Sequence, residues 1–262
     1  MKKNACMNYN TDINIIGSIP DYHLICKALP LLINDTDNLK KSLVTDNEFG
    51  FRTEKSRKRF LSVLNSAFVN HNKDINKLAA NIIEHLSYDE KSQSLVLFWL
   101  FSLNNQLFYE LNRDLFLKYY FQGRAQLPKD DVVAYLKDLI SRNNELKGKW
   151  SEETILTIAS KYLTVLKKLH LLEGTQKKSF CHIGISDELL AVFVHFYDLI
   201  DISNPIILKD DFLNFSFISK ESLLERFKKI GKKDWIKMNY TGNRIVLEGA
   251  YKNNTIIDGI FR

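Results

Sequence analysis

Three groupings of residues in this sequence have types and spacings that could do chemistry. The first is a run of cations, GFRTEKSRKRF at 50–60, in which Arg52, Lys55, Arg57, Lys58 and Arg59 surround a single anion, Glu54. Cations at that density suit a phosphate-bearing polymer, and they equally suit a solvated helix start. The second is Cys181 beside His182, which could be imagined as nucleophile and base. Neighbouring residues of an extended segment point to opposite faces, so the pair does not meet; a buried thiol and a surface imidazole is the simpler reading. The third is a set of acidic pairs, Asp130 with Asp131, Glu152 with Glu153, and Asp210 with Asp211. Each stands where a helix would begin, near the positive end of its dipole.

The remaining spacings that catalysis calls for are missing. There is no G-x-x-x-x-G-K-[ST] phosphate loop, G-x-G-x-x-G turn, G-x-S-x-G elbow or H-E-x-x-H helix, and the six histidines (His23, His71, His85, His170, His182, His195) are scattered. A two-metal nuclease would need carboxylates converging from separate elements, which spacing alone does not display. The expectation is a protein that is not an enzyme, with no catalytic residue, no metal site and no cofactor.

Composition narrows the class. At 262 residues, 45% hydrophobic and 26% charged, the chain reads as a folded protein with a sizeable core. Its formal net charge of +6 fits a polyanion such as nucleic acid or an acidic membrane surface. Cys6, Cys26 and Cys181 are odd in number and widely spaced, which argues against a disulfide framework or a zinc knuckle and for a reducing cytoplasm. The opening MKKNACMNYNTDINIIG lacks the continuous apolar core of a secretion signal. The most apolar run, LVLFWLFSL at 95–103, is less than half of the roughly 20 residues a membrane-spanning helix requires, and reads as a buried helix.

The elements that would position these residues are mostly helices, because apolar residues recur at three and four and only 10 Gly and 4 Pro interrupt them. A first helix is expected near SIPDYHLICKALPLLIND, with Ser18 or Asp21 as cap and Pro30 kinking or splitting it, and a short second one over TDNLKKSLVTDN. A third starts after Thr53. There Phe60, Val63, Leu64, Ala67 and Phe68 form one buried stripe, which sends Lys55, Lys58, Arg59, Ser62 and Ser66 to the opposite side within a strip about 100° wide and leaves Arg57 beside the apolar face.

Four more helical segments, 74–86, 90–103, 106–123 and 128–143, make a bundle whose aromatics (among them Phe98, Trp99, Phe108, Tyr109 and Phe116) are expected to be core rather than a base-stacking platform. WSEETILTIASKYLTVLKKLHLLEG is a well-specified helix with Ser151 as N-cap, Lys167 and Lys168 near its end, and Gly174 closing it. KKSFCHIG follows as a possible strand, SDELLAVFVHFYDLI as a helix capped by Ser186, and SKESLLERFKKIG as a helix with Leu223, Leu224, Phe227 and Ile230 inward. DWIKMNY and NRIVLEG then read as a hairpin turning through Thr241, Gly242 and Asn243, and NTIIDGIF as a third strand. A helix followed by a two-stranded ribbon looks like the end of a winged-helix unit. The expected architecture is mainly α: a helix-turn-helix-like unit at 1–72, a central helical bundle at 73–146, and a winged-helix-like region at 147–262 with a short β-hairpin.

Two features favour a nucleic-acid role for the 52–59 run over plain solvation. Cations in the opening turn of a helix oppose its dipole, at roughly 0.3–1 kcal/mol each. The helix is also third in a compact trio, the place of a recognition helix whose first residues enter the major groove. Lys55, Lys58 and Arg59 would then face phosphates or base edges, with Ser62 in the same strip, Arg57 at its margin and Arg52 on the backbone beside the helix start. A second cluster, Lys228, Lys229, Lys232 and Lys233, follows the 219–230 helix, where cations suit a helix C-terminus and the structural reading is stronger. The rival to DNA binding is a protein–protein adaptor docking through exposed aromatics of the 106–121 helix or through the hairpin.

The segments TDNEFGFRTEKSRKRFLSVLNSAF (45–68) and KGKWSEETILTIASKYLTVLKKLHLLEG (147–174) resemble two segments of the BrxA family, the small A component of BREX (bacteriophage exclusion) systems, and the likeness extends over roughly residues 10–200. The resemblance implies a cytoplasmic bacterial protein encoded with a methyltransferase, an ATPase and other phage-defence components. It implies a helical fold likened to NusB and to winged helix-turn-helix modules, and binding of double-stranded DNA without catalysis. Other BREX components are implied partners. The family has also been described as a putative inner-membrane protein, against which the short apolar runs argue. The segment after about residue 200 is longer than the family pattern, so the ribbon and its lysines rest on periodicity alone.

Overall fold

Polar residues start the helices of the protein, seen here in a computed structural model that describes residues 9–200, 209–241 and 244–261. Thr53, Asn72, Asp89, Asn105, Ser151 and Ser186 each accept a hydrogen bond from a backbone N–H of the turn that follows, so the orphan donors of six helix starts are satisfied locally. The elements run α1 (Asp12–Ile16), α2 (His23–Asn34), α3 (Thr36–Lys40, continued by a π turn Lys41–Thr45), α4 (Glu54–Phe68), α5 (Lys73–His85) and α6 (Glu90–Asn104). They continue as α7 (Gln106–Leu111, with a π turn Asn112–Phe116), α8 (Leu117–Phe121), α9 (Lys129–Arg142), α10 (Glu152–Lys168), β1 (Leu172–Glu173), β2 (Ser179–Phe180) and α11 (Asp187–Asp198). The last are α12 (Lys209–Phe212), a 3-10 turn (Leu213–Ser216), α13 (Lys220–Gly231), β3 (Ile236–Thr241), β4 (Arg244–Gly249) and α14 (Ile256–Ile260). The protein is thus mainly helical, with two short antiparallel hairpins among the described residues.

Helix α6 is the axis of the core, buried without interruption from Gln93 to Leu103. Its two sides take different neighbours. Phe101 meets Phe68 of α4 with ring centroids 5.6 Å apart, while Trp99 meets Phe193 and Phe196 of α11 at 5.1 and 5.9 Å. The Trp99 indole N–H donates to Phe215 O at 3.0 Å, which satisfies its one polar group. Phe98, Phe108, Tyr109 and Phe116 are likewise enclosed, so the aromatics of the middle segment are core, as their spacing implied. One continuous apolar cluster includes Ile13, Leu64, Trp99, Leu166, Phe193 and Phe227, side chains drawn from all three stretches that sequence pattern marks out. Among the described residues, no helix is long and apolar enough to cross a membrane.

Two expectations are corrected, and of the two outcomes offered for Pro30 the split does not occur: α2 runs through Pro30, with Ala28, Leu29 and Leu32 buried around it carrying the last turn past the missing N–H. Helix α10 ends at Lys168, six residues before Gly174. His170 supplies the left-handed residue (φ 58°) in place of glycine, Leu171 N–H closes back on Leu166 O at 2.9 Å, and the buried Leu171 and Leu172 pull the chain into β1. Gly174 (φ +89°) instead makes the β1–β2 turn, where a Cβ would lie 2.1 Å from Lys177 O. NTIIDGIF contains α14 rather than a third strand: Ile256 and Ile260, four residues apart, bury on one side, and Gly259 leaves room for the Tyr251 ring.

The C-terminal hairpin forms as its pattern indicates, β3 on β4 in register from Ile236 with Gly249 to Thr241 with Arg244. Of the expected turn residues, Thr241 is instead the last residue of β3, and Gly242 and Asn243 lie outside the described residues, as does Cys6. KKSFCHIG contributes only the two residues of β2. The ribbon rests on α11 and α13, β4 against α11 and β3 against α13, with Ile236 and Leu247 buried. At its end His195 of α11 acts as a peg: Nδ1–H donates to Ala191 O at 2.7 Å, and Nε2 accepts the Tyr251 N–H at 3.2 Å. Gly249 passes so close that a Cβ there would sit 2.3 Å from the His195 ring.

Candidate nucleic-acid interface

The start of α4 is held by a rigid approach. Asn47, in the left-handed region (φ 54°), brackets Phe51 with both amide atoms, and Gly50 (φ +68°) turns the chain between them. Phe51 and Phe49 then lie 4.9 and 6.2 Å from the Phe60 ring, on the first apolar position of α4. Phe60 is 3% exposed, and burial of such a ring is worth roughly 1.5–3 kcal/mol. Thr53 completes the start: its hydroxyl accepts the Ser56 N–H at 3.1 Å and lies 2.8 Å from the Ser56 hydroxyl.

With this end fixed, the cations separate by role. Lys55, Lys58, Arg59 and Ser62 are exposed on the side of α4 away from Phe60, Val63, Leu64 and Ala67, and Arg52, also exposed, immediately precedes the cap Thr53. Lys58 is paired with Glu54 at 2.6 Å, and the hydrogen bond and charge of Lys58 hold the Glu54 carboxyl below its ordinary range. Among the described residues, Arg52, Lys55 and Arg59 meet no carboxylate within 4.0 Å. Arg57 does not join them: it lies about 200° round the helix from Lys55, half-buried, with its Nε enclosed. Lys27 of α2, which sequence reasoning missed, is exposed and stands 4.9 Å over the Phe49 ring that packs on Phe60. Its signal is tertiary, because 22 residues separate it from the ring.

The second cluster divides in the same way. Asp187, the first residue of α11, gathers Arg226 at 2.7 Å, Lys229 at 2.7 Å and Lys233 at 3.7 Å. Partial burial pushes the Asp187 carboxyl up, but the hydrogen bonds and charges of Lys229 and Arg226 outweigh it and hold the group below the carboxylate range. Lys233 also stands 4.1 Å over the Trp235 ring. Lys228 and Lys232 are exposed, and among the described residues neither meets a carboxylate within 4.0 Å. Asp187 as the organiser of this corner was not legible, since its spacing in sequence marks it only as a helix start.

The other groupings are not brought together. Cys181 is half-buried, its thiol pushed up by burial, with His182 exposed beside it. Cys26 is buried and pushed up to about 12. Among the described residues, no three His, Cys, Asp or Glu side chains gather as a metal would require. The aromatic face that an adaptor would offer on residues 106–121 is largely enclosed; Phe121 alone is an exposed large hydrophobic there, at 40%.

Fold and surface together define a mainly helical protein that holds a cationic helix start out from an aromatic core. The chain belongs to the BrxA family of BREX systems: the family model described as BrxA matches residues 23–195, from the first residue of α2 into α11. That span takes in the whole of α4 and leaves α13, the ribbon and α14 outside it. No curated protein and no solved structure matches the chain.

Proposed function

We propose that this protein is a non-enzymatic accessory of its BREX phage-defence system that holds double-stranded DNA, chiefly through phosphates at the start of α4. The observation that carries this reading is the set of exposed cations Arg52, Lys55 and Arg59, which meet no carboxylate among the described residues while standing on a helix start fixed by Asn47, Thr53 and Phe60. A cation at a helix start is not there for the helix, whose dipole disfavours it. Phosphate contacts of this kind position a protein on a duplex without reading its sequence.

Binding without sequence preference has a dissociation constant of about 10⁻⁴–10⁻⁶ M at physiological salt. The decisive experiment is a salt series of gel shifts with duplex DNA, single-stranded DNA and RNA, on the natural protein and on the triple variant Lys55→Glu, Lys58→Glu, Arg59→Glu. Duplex is the preferred ligand, its retention falls with salt, and the triple variant folds but binds less. Undiminished duplex binding by the folded triple variant counts against the reading.

A further inference from the structure

We infer that the α13–β3 corner is a second duplex-binding face opposed to that of α4, so that one molecule bridges two DNA segments. This rests on the DNA-binding reading of α4 and goes beyond it.

The argument is one of helix geometry. On α6, Phe101 faces α4 and Trp99 faces α11, and two residues of an α-helix are about 200° apart, so α4 and α11 lie on opposite sides of α6. On α11, Phe196 faces Trp99, whereas Asp187 takes Arg226 and Lys229 of α13. Nine residues separate Asp187 from Phe196, a rotation of about 180°. The order across the molecule is therefore α4, α6, α11, α13.

Each outer helix turns its apolar side inward. α4 buries Phe60, Leu64 and Phe68, and α13 buries Leu223, Phe227 and Ile230. The exposed cations of α4, and the exposed Lys228 of α13 with Lys232 at its C-cap, thus point away from each other. The second face also keeps an excess of charge. Arg226, Lys229 and Lys233 share the one carboxylate of Asp187, while Lys237, exposed on β3, stands opposite Glu248 in the hairpin register and adds nothing to that excess. A straight duplex reaches one face only. To reach the other it would have to bend round the molecule, which the stiffness of duplex DNA opposes over so short a length. Engaging a second duplex carries no such cost.

The test is a sandwich capture. A biotinylated 30-base-pair duplex on beads is loaded with full-length protein at low salt, and a fluorescent duplex of different sequence is added. Natural protein retains the second duplex, and retention disappears with rising salt. The double variant Lys228→Glu, Lys232→Glu binds the first duplex with affinity lowered by no more than about twofold, the statistical factor for losing one of two sites, and its capture of the second falls at least tenfold. Capture by the double variant at the natural level overturns the inference, since bridging would then come from association of α4 faces. Natural protein that shifts one duplex and captures no second overturns it as well and leaves the proposed function standing. Absence of any duplex shift removes both.

Discussion

Asn47 holds Phe51 by both ends of its amide: Nδ2 donates to Phe51 O at 3.0 Å, and Oδ1 accepts Phe51 N–H at 3.0 Å. This bracket, four residues wide, sets where the chain enters α4 and so where Arg52 stands. Asn47→Ala removes both bonds and places alanine at a φ of 54°. We expect a loss of about 1–3 kcal/mol, from net hydrogen-bond energies and the left-handed backbone. Thermal unfolding reads it as a lowered midpoint, and Asn47→Gly, which keeps the backbone but not the bracket, falls between the two.

Glu54 offsets one cation of the strip. Glu54→Gln releases Lys58 from its 2.6 Å partner and removes the only anion in the 52–59 run. Duplex binding should tighten, and the slope of log K against log salt should steepen by about 0.9 for the one further phosphate neutralised. Gel shifts at several salt concentrations measure it; an unchanged slope with unchanged affinity shows that Lys58 stands outside the contact.

Asp187 ties α13 to α11 through three cations and is itself mostly buried, its side chain 12% exposed. Asp187→Asn leaves Arg226 and its neighbours without a counter-charge and should lower stability by about 1–3 kcal/mol. The folded carboxyl titrates below its unfolded value, so its contribution is complete above the unfolded pKa and is lost as pH falls through the folded one. Denaturant melts of natural and variant protein therefore converge towards the acid end and differ most near neutrality.

His195 also titrates below its unfolded value, for a different reason. Burial pushes its pKa below the ordinary 6.5, against the hydrogen bond to Ala191 and the nearby charge of Asp198, which push up. The unfolded chain binds this proton first, so the His195 contribution is complete above about 6.5 and is lost as pH falls from there towards the folded value. Protonation at Nε2 also removes the acceptor of the Tyr251 N–H. The melting temperature should fall between pH 7.5 and 5.5, and His195→Phe should lower it at pH 7.5 while flattening that dependence. An equally steep fall in the variant assigns the effect to other groups.

Helix starts were the most legible part of the fold, because a cap and its acceptor lie within one turn: Thr53 with Ser56, Ser151 with Thr154 and Ser186 with Leu189 all read correctly at short range. The errors came where distant packing overrides a local signal. Pro30 is a helix breaker until Leu29 and Leu32 are buried on either side of it. Gly174 looks like a C-cap until Leu171 and Leu172 are drawn into the core, and NTIIDGIF looks like a strand until Ile256 and Ile260 are seen to share one buried side. For the interface, periodicity separated Lys55, Lys58 and Arg59 from Arg57, since helical angle follows from spacing alone. Lys27 and Asp187 had no such signal.

By itself the amino-acid order determined the class of this protein: helices where apolar residues recur at three and four, and a run of cations on the side away from them, because helix geometry converts spacing into direction. The tertiary structure alone decided which charges are spent on partners inside the molecule and which face outward. Asp187 claims Arg226, Lys229 and Lys233 across 39, 42 and 46 residues of chain, and no local rule anticipates an ion pair that exists only when two helices pack.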